Sequence, residues 1–362
     1  MRIAVEILPG IQAGVGRWQR ETVKILAASV GIDIKSLIVF SYGNRYPRPE
    51  WMPANTAYNV SKLPGRLQWF CSEWLGIPVE LTHALGNVDL ILTMNLHTIR
   101  AMSPVILAIA DTSWRSFSSQ YIKMFNSKQI QCAEKAIKLA SKLVTISLSS
   151  AKSLIQSGEK QSRIHVAHLG VSEEFQGVDD NELNRVRNAY SLPEQFVVHI
   201  GGINERKNIK ILLAAMEKFN GSLPLVLAGP IPSESLQYWG LDKPWVKHLG
   251  YIPEKDIPGL YAAAMVKVFP SLLEGFGLPL IEAMAVGTPV IAADIPVFHE
   301  IGGDAPLFFN PHDANELYKK IQIIQANKDF QKILSLKGQS IVKRLSWSSY
   351  KDDLMKIFKS AT

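Results

Sequence analysis

Short apolar runs alternate along the chain with stretches whose apolar positions recur every three or four residues. The runs read as strands buried on both faces, and the periodic stretches as helices packed on one side. In the first half the predicted strands are Arg2 to Leu8, Ser36 to Phe40, Asp89 to Thr93, Val105 to Ala110 and Lys142 to Ile146. Helices are predicted at Trp18 to Ala28 and Ser127 to Ala140. A polar stretch, Gln176 to Ser191, opens a second series. Its strands are Phe196 to Ile200, Leu225 to Ala228, Val246 to Leu249, Val266 to Phe269 and Val290 to Ala292. Its helices are Ile209 to Lys218, Ile257 to Ala264, Leu278 to Val286 and Ala314 to Ala326. Strand and helix alternating through short loops argue for parallel sheets covered on both faces, and the repetition argues for two Rossmann-like domains with a cleft between them. Near the end Ser346 suits the N-cap of a last helix, Trp347 to Phe358, with Trp347 as a packing anchor.

Composition narrows this picture. At 362 residues and 47% hydrophobic the chain is too long for one ordinary core and comfortable for two. Disorder as a general state is excluded by the same figures. Cys71 and Cys132 cannot build a disulfide framework or a metal cage, and so sparse a usage fits a reducing compartment. The N-terminus reads directly as a buried strand rather than a secretory signal, and no stretch approaches the ~20 apolar residues of a spanning helix. The expectation is a cytoplasmic protein, with peripheral contact at the inner face of the plasma membrane left open.

Charge is one-sided. Residues 1–175 hold 19 Lys and Arg against 12 Asp and Glu, whereas residues 176–362 hold 20 of each, so the whole net charge of +7 lies in the first half. That half is expected to face either solvent or an anionic partner. Within it Arg45 to Leu75 is rich in Arg, Lys, Trp, Tyr and Pro. Its Trp69-Phe70 and Trp74-Leu75 pairs could meet a membrane interface, although a helix with a buried aromatic face is the favoured expectation.

Three glycine-bearing turns carry the candidate chemistry. The first, Gly10 to Trp18, follows a strand and precedes a helix, and Gly14-Val15-Gly16 lets backbone approach a ligand. The second is Gly201-Gly202-Ile203-Asn204-Glu205-Arg206-Lys207-Asn208. There Arg206 offers a planar fork and Lys207 a point charge for phosphate oxygens, and Asn208 suits a helix cap. The third runs from Pro270 through Glu274-Gly275-Phe276-Gly277-Leu278-Pro279 to Glu282. Pro279 fits a first helical turn, Glu274 precedes the helix, and Glu282 falls one turn into it. Carboxylates accept from vicinal hydroxyls, and helix-start amides face phosphate.

Glu274 and Glu282, with seven residues between them, resemble the E-x7-E signature of retaining glycosyltransferases of the GT-B fold. The wider run from Leu249-Gly250-Tyr251 to Gly287-Thr288-Pro289-Val290 resembles family-four glycosyltransferases (glycosyl transferases group 1), most of all their mannosyltransferase-like branch. Gly201-Gly202 with Glu205 to Asn208 is similar to that family's donor-diphosphate loop. Val144 to Ser147 and His168 to Val171 resemble its domain-boundary motifs, and Gly14 to Trp18 its first glycine loop.

The resemblance implies an α/β protein of GT-B architecture, two Rossmann-like domains facing a central cleft. Residues 1–175 with a C-terminal helix at about 346–362 would bind the acceptor, and residues 176–345 the nucleotide-sugar donor. It implies a retaining hexosyltransferase, with GDP-mannose as donor and a lipid-linked surface polysaccharide or glycolipid (lipopolysaccharide, O-antigen) as acceptor. Arg206 and Lys207 would neutralise the leaving diphosphate, Glu274 would hold donor sugar hydroxyls and Glu282 the ribose hydroxyls. Gly202, Gly275, Phe276, Gly277 and Leu278 would line sugar and phosphate, and Gly14 and Gly16 would bring backbone to the donor. No Asp-x-Asp motif is present, so no metal or other cofactor is expected. The partners implied are the nucleotide-sugar donor, the carbohydrate or lipid-linked acceptor and an anionic membrane surface, with no nucleic acid. One departure stands out. Relatives carry a His-Asp pair where this chain has Ala110-Asp111, and the family's His meets the 6-hydroxyl of the sugar. Either the donor is a 6-deoxyhexose such as rhamnose or fucose, or it lies in a changed pose, or Asp111 or His97 takes over. A UDP-sugar donor and a catalytically inactive nucleotide-binding subunit are the alternative readings.

Overall fold

The computed structural model describes residues 1–8, 13–42, 47–61, 65–75, 77–81, 85–116, 127–230 and 239–362. The chain divides into two compact units, Met1–Gly170 with Trp347–Thr362, and Val171–Ser346.

Unit 1 is built on a parallel sheet. Its strands are β1 (Arg2–Glu6), β2 (Ser36–Tyr42), β3 (Ala57–Ser61), β5 (Leu90–Thr93), β7 (Val105–Ile109), β8 (Lys142–Thr145) and β9 (Ile164–Val166), while β4 (Val79–Glu80) and β6 (Ile99–Arg100) form a small parallel pair. The order is β3-β2-β1-β5-β7-β8-β9. The apolar runs expected as strands therefore all pair, and Leu90 to Thr93 is buried throughout, as a strand covered on both faces must be. The last helix, Trp347–Lys359, returns to this unit and packs on the helix Ala13–Ala27. Trp18 Nε1 donates to Tyr350 Oη at 2.7 Å within that contact. Trp347 is buried edge-on to Tyr350, as its anchor role required.

Unit 2 repeats the plan with β10 (Val197–Ile200), β11 (Leu225–Ala228), β12 (Val246–His248), β13 (Val266–Phe269), β14 (Val290–Ala293) and β15 (Leu307–Phe309), in the parallel order β12-β11-β10-β13-β14-β15. Strand order reverses between β10 and β13. In open α/β sheets such a switch point leaves a crevice at the carboxyl ends of the strands, where ligands bind. The equivalent reversal in unit 1 lies between β1 and β5.

Three expectations need correction. The boundary lies after Gly170, not after residue 175, and Ser346 stays with unit 2. Phe175 is fully buried beside Tyr261, and Val171 N–H donates to Leu345 O at 3.0 Å, so the connecting residues are tied into unit 2. The polar stretch 176–191 contains a helix, Asp180–Ala189, capped by the Asp179 side chain. It hid from an apolar-stripe reading because Val186 is its buried contact, seated on Gly259 where any Cβ would come within 2.6 Å. Finally, the helix Gly65–Trp74 does not bury its described aromatic side chains, that of Trp69 lying outside the described residues. Leu67, Phe70 and Trp74, spaced along one face, are about half exposed, while the small Ser72 points inward to Thr98.

Candidate functional site

The carboxyl ends of β10 and β13 carry the two loops singled out from sequence. After β10 the chain turns through Gly201, whose φ of +150° suits glycine, and Gly201 N–H donates to Ala228 O at 2.8 Å. Next to it Gly229 is required for space: a Cβ there would lie 2.4 Å from Gly201 O. Gly202 then leads into a short 3-10 turn, Glu205–Lys207. Asn204 caps this turn by accepting from Lys207 N–H at 3.1 Å. Asn208 takes the N-cap position of the following helix as expected, but in the left-handed region and without a side-chain cap bond, its Nδ2 donating to Pro311 O. The turn thereby aims Arg206 and Lys207 together toward the loop after β13.

They converge on one carboxylate. Arg206 Nη1 donates to Glu274 Oε2 at 2.9 Å and to Leu273 O at 3.0 Å, and Lys207 Nζ donates to Glu274 Oε1. Leu272 N–H closes the junction by donating to Arg206 O. All three side chains keep only a sliver of solvent contact. Burial alone would raise the Glu274 carboxyl, but Lys207 and Arg206 outweigh it and hold the group below the ordinary glutamate value. A carboxylate has about four acceptor sites, so Glu274 can hold both cations and still accept hydroxyls.

Beyond Glu274 the chain is buried through Gly275, Phe276, Gly277 and Leu278. Gly277 takes φ +101° at the start of the helix Leu278–Ala285, packed so closely that a Cβ would be 3.1 Å from the Phe298 ring. Glu282 is buried on this helix, one turn in, as expected. Gly202, Arg206, Lys207, Glu274 to Leu278 and Glu282 thus all belong to one end of unit 2.

The remaining candidates lie in unit 1. Gly14 and Gly16 are not in a turn: the helix starts at Ala13, so both sit in its first turn, Gly14 exposed and Gly16 buried. Gly10, Ile11 and Gln12 lie outside the described residues. Asp111 is half-buried, and its Oδ1 accepts from Ser113 N–H at 2.9 Å, capping the short helix Ser113–Ser116. His97 is 3% exposed, its Nε2 3.2 Å from Glu6 Oε1. Thr93 Oγ1 donates to the other oxygen of Glu6, and Asn95 lies buried in the same loop. Sequence reading passed over Glu6, Thr93 and Asn95 because only the strand order reveals that the ends of β1 and β5 meet.

Two further groups were missed in unit 2. Lys267 interrupts the apolar strand β13 and is fully buried, which pushes its ammonium down to about 7. His199, on β10, is fully buried with Nδ1 3.2 Å from Val268 O, and burial followed by the fields of Lys267 and Lys207 keeps its imidazole neutral. A lone charged residue inside an apolar run was the available signal for Lys267. Among the described residues no group of three or more His, Cys, Asp or Glu could hold a metal ion.

The family described as glycosyl transferases group 1 matches residues 180–340. That stretch, less than half of the chain, lies within unit 2 and is similar to the group 1 glycosyltransferases. It contains every candidate residue of unit 2, Glu274 and Glu282 among them. Beyond this match, the chain is 32% identical over 207 residues to O-antigen chain mannosyltransferase B of Escherichia coli, the match covering 54% of each chain. The chain thus spans about half the length of that relative. With O-antigen chain mannosyltransferase RfbU of Salmonella typhimurium it shares 26% identity over 88% of this chain and 89% of the relative. The solved structure of Anabaena Alr3699/HepE in complex with UDP-glucose superposes with a TM-score of 0.73 and 20% identity, covering 99% of this chain and all of the other. The stretch that matches the group 1 family therefore sits within a GT-B fold, two Rossmann-like units in one chain.

Proposed function

We propose that the chain is a retaining hexosyltransferase carrying mannose from GDP-mannose to a growing, lipid-linked surface polysaccharide or glycolipid, without a metal ion. The observation that carries this reading is the convergence of Arg206 and Lys207 on Glu274 at the switch point of unit 2. Mannose and polysaccharide are the parts supplied by the two O-antigen relatives.

Negative charge grows on the departing diphosphate as the glycosidic bond breaks. Cations and amides fixed beforehand bind that charge better in the transition state than in the ground state, and this difference is what accelerates the step. Arg206 and Lys207, held by Glu274, would take this role beside the backbone amides of Phe276, Gly277 and Leu278. Glu274 would also accept donor sugar hydroxyls, and Glu282 those of the ribose. Retention would follow from front-face attack, with a diphosphate oxygen receiving the acceptor's proton. Thermal shifts with GDP, UDP and dTDP in EDTA test the donor. GDP should stabilise most, and EDTA should leave its shift unchanged. Selective stabilisation by dTDP would favour a 6-deoxyhexose, in keeping with Ala110, and UDP would favour a UDP-sugar. A shift with none of them would overturn the donor site.

The acceptor end is proposed to work at the cytoplasmic face of a membrane. Among the described residues no helix is long and apolar enough to cross one. Leu67, Phe70, Trp74, Leu75 and Ile77 are nevertheless exposed together, Phe70 and Trp74 stack at 6.0 Å, and Lys128 lies 3.9 Å over the Trp74 ring. An aromatic ridge with a cation beside it, on the half that holds the net positive charge, suits an anionic interface. The protein should float with anionic vesicles and not with neutral ones, and Phe70→Ser with Trp74→Ser should abolish flotation. Equal behaviour with both lipids would count against this placement.

A further inference from the structure

Lys267 sits in the middle of a central strand, where a charged side chain is costly unless something uses it. Its Nζ lies 3.4 Å from Ile200 O, the last carbonyl before Gly201-Gly202. The same Nζ is 5.2 Å from the centre of the Phe269 ring, and Lys207 Nζ is also 5.2 Å from that ring. The two ammonium groups therefore share one aromatic ring just inside the crevice. Most of its ionisable neighbours among the described residues belong to the site. His199 on β10, Lys207 in the 3-10 turn, Glu274 in the loop after β13, Glu282 on the helix Leu278–Ala285 and Tyr261 on the helix Ile257–Ala263 surround it. Nε2 of His199 makes no hydrogen bond among the described residues, and a Cβ on Gly201 would lie 3.5 Å from it and 3.9 Å from Lys207 Cε. Imidazole, lysine and glycine turn thus occupy one small volume.

We propose that Lys267 is a positioning residue for the donor diphosphate: its buried ammonium supplies a third positive charge beneath the Gly201–Gly202 turn, behind Arg206 and Lys207, so that donor binding draws a proton onto Lys267. This inference rests on reading the crevice as the donor site. The ammonium is opposed by burial and by Lys207, and favoured by Glu282 and Glu274. A bound diphosphate adds two negative charges to the favourable side. His199, already neutral, does not compete for the proton. Phe269 and Tyr261 wall the group from water, so its field on the crevice is weakly screened.

The test is the pH dependence of GDP-mannose binding. A sugar nucleotide is the suitable probe because its diphosphate is doubly esterified and does not itself titrate near neutrality. In the wild type, affinity should rise roughly tenfold as pH falls from about 9 to about 6. Lys267→Met should remove the rise and bind weakly throughout, and Lys267→Arg should remove it and bind tightly throughout. Guanosine, without phosphate, should show no dependence in any of the three. Equal slopes in wild type and Lys267→Met overturn the proposal while leaving the donor site standing. Absence of GDP-mannose and UDP-glucose binding at every pH overturns the donor-site reading and this inference with it. Should Lys267→Met fail to fold, the loss or persistence of the slope in Lys267→Arg decides.

Discussion

Arg206→Ala should lower kcat by about 10²- to 10³-fold, the loss typical of removing one preorganised donor to a developing anion. Arg206 bonds Leu273 O and Glu274 through one nitrogen, which fixes its planar fork at the crevice where the donor phosphate is proposed to lie. It also ties the two loops together, because Leu272 N–H donates to its carbonyl. The backbone tie survives truncation to alanine, so the loops keep their places while the charge is lost. Arg206→Lys should recover little, since an ammonium is a point charge without the planar fork that spaces donors to meet a carboxylate and a phosphate together. Lys207→Ala should fall in the same range, and the double variant should lose less than the two losses combined, because both cations are held by the same carboxylate. Steady-state kinetics with a sugar-nucleotide donor gives the reading. A rise in KM at unchanged kcat would mean that Arg206 binds ground state and transition state alike, and would remove it from the proposed chemistry.

That the two cations meet Glu274 was legible as a list of residues but not as a contact. Arg206 and Glu274 are 68 positions apart, and only the reversal of strand order between β10 and β13 brings their loops to one crevice. The strands themselves were plain because buried parallel strands are unbroken apolar runs: Leu225–Ala228 and Val266–Phe269 fall where the pattern put them. Helices whose buried contact is a single side chain were hidden, as Asp180–Ala189 shows with Val186. The outward aromatic face of Gly65–Trp74 was hidden for another reason. Periodicity tells which residues share a face and not which way that face points. Glycines misled once. The pattern Gly14-Val15-Gly16 reads as a turn by local preference, yet it lies within the helix Ala13–Ala27, where packing overrides propensity.

Lys267→Met should make the protein more stable, and the pH dependence of the gain identifies its source. Burial, seconded by Lys207, lowers the Lys267 ammonium from 10.5 to about 7. Between those values the unfolded chain holds a proton that the native state has given up, so native stability rises with pH across the window. Below about 7 both states are protonated and the full penalty of the buried charge is present. Methionine has nearly the same length, carries no charge and suits the apolar surroundings of Tyr261 and Phe269. At about pH 8 the variant should therefore gain about 3 kcal/mol, one pH unit of mismatch being worth about 1.4 kcal/mol, and the gain should shrink toward zero as pH approaches the unfolded value. Denaturant midpoints of the two proteins at about pH 8 and about pH 10 measure it. A gain that does not vary with pH would mean that better packing, rather than relief of a buried ammonium, is responsible. Destabilisation at both would mean that Glu282 and Glu274 depend on Lys267 as their counter-charge. A sequence under selection for stability alone has an easy improvement at this position, and its retention of lysine beneath the Gly201–Gly202 turn is the mark expected of a site whose electrostatics serve binding.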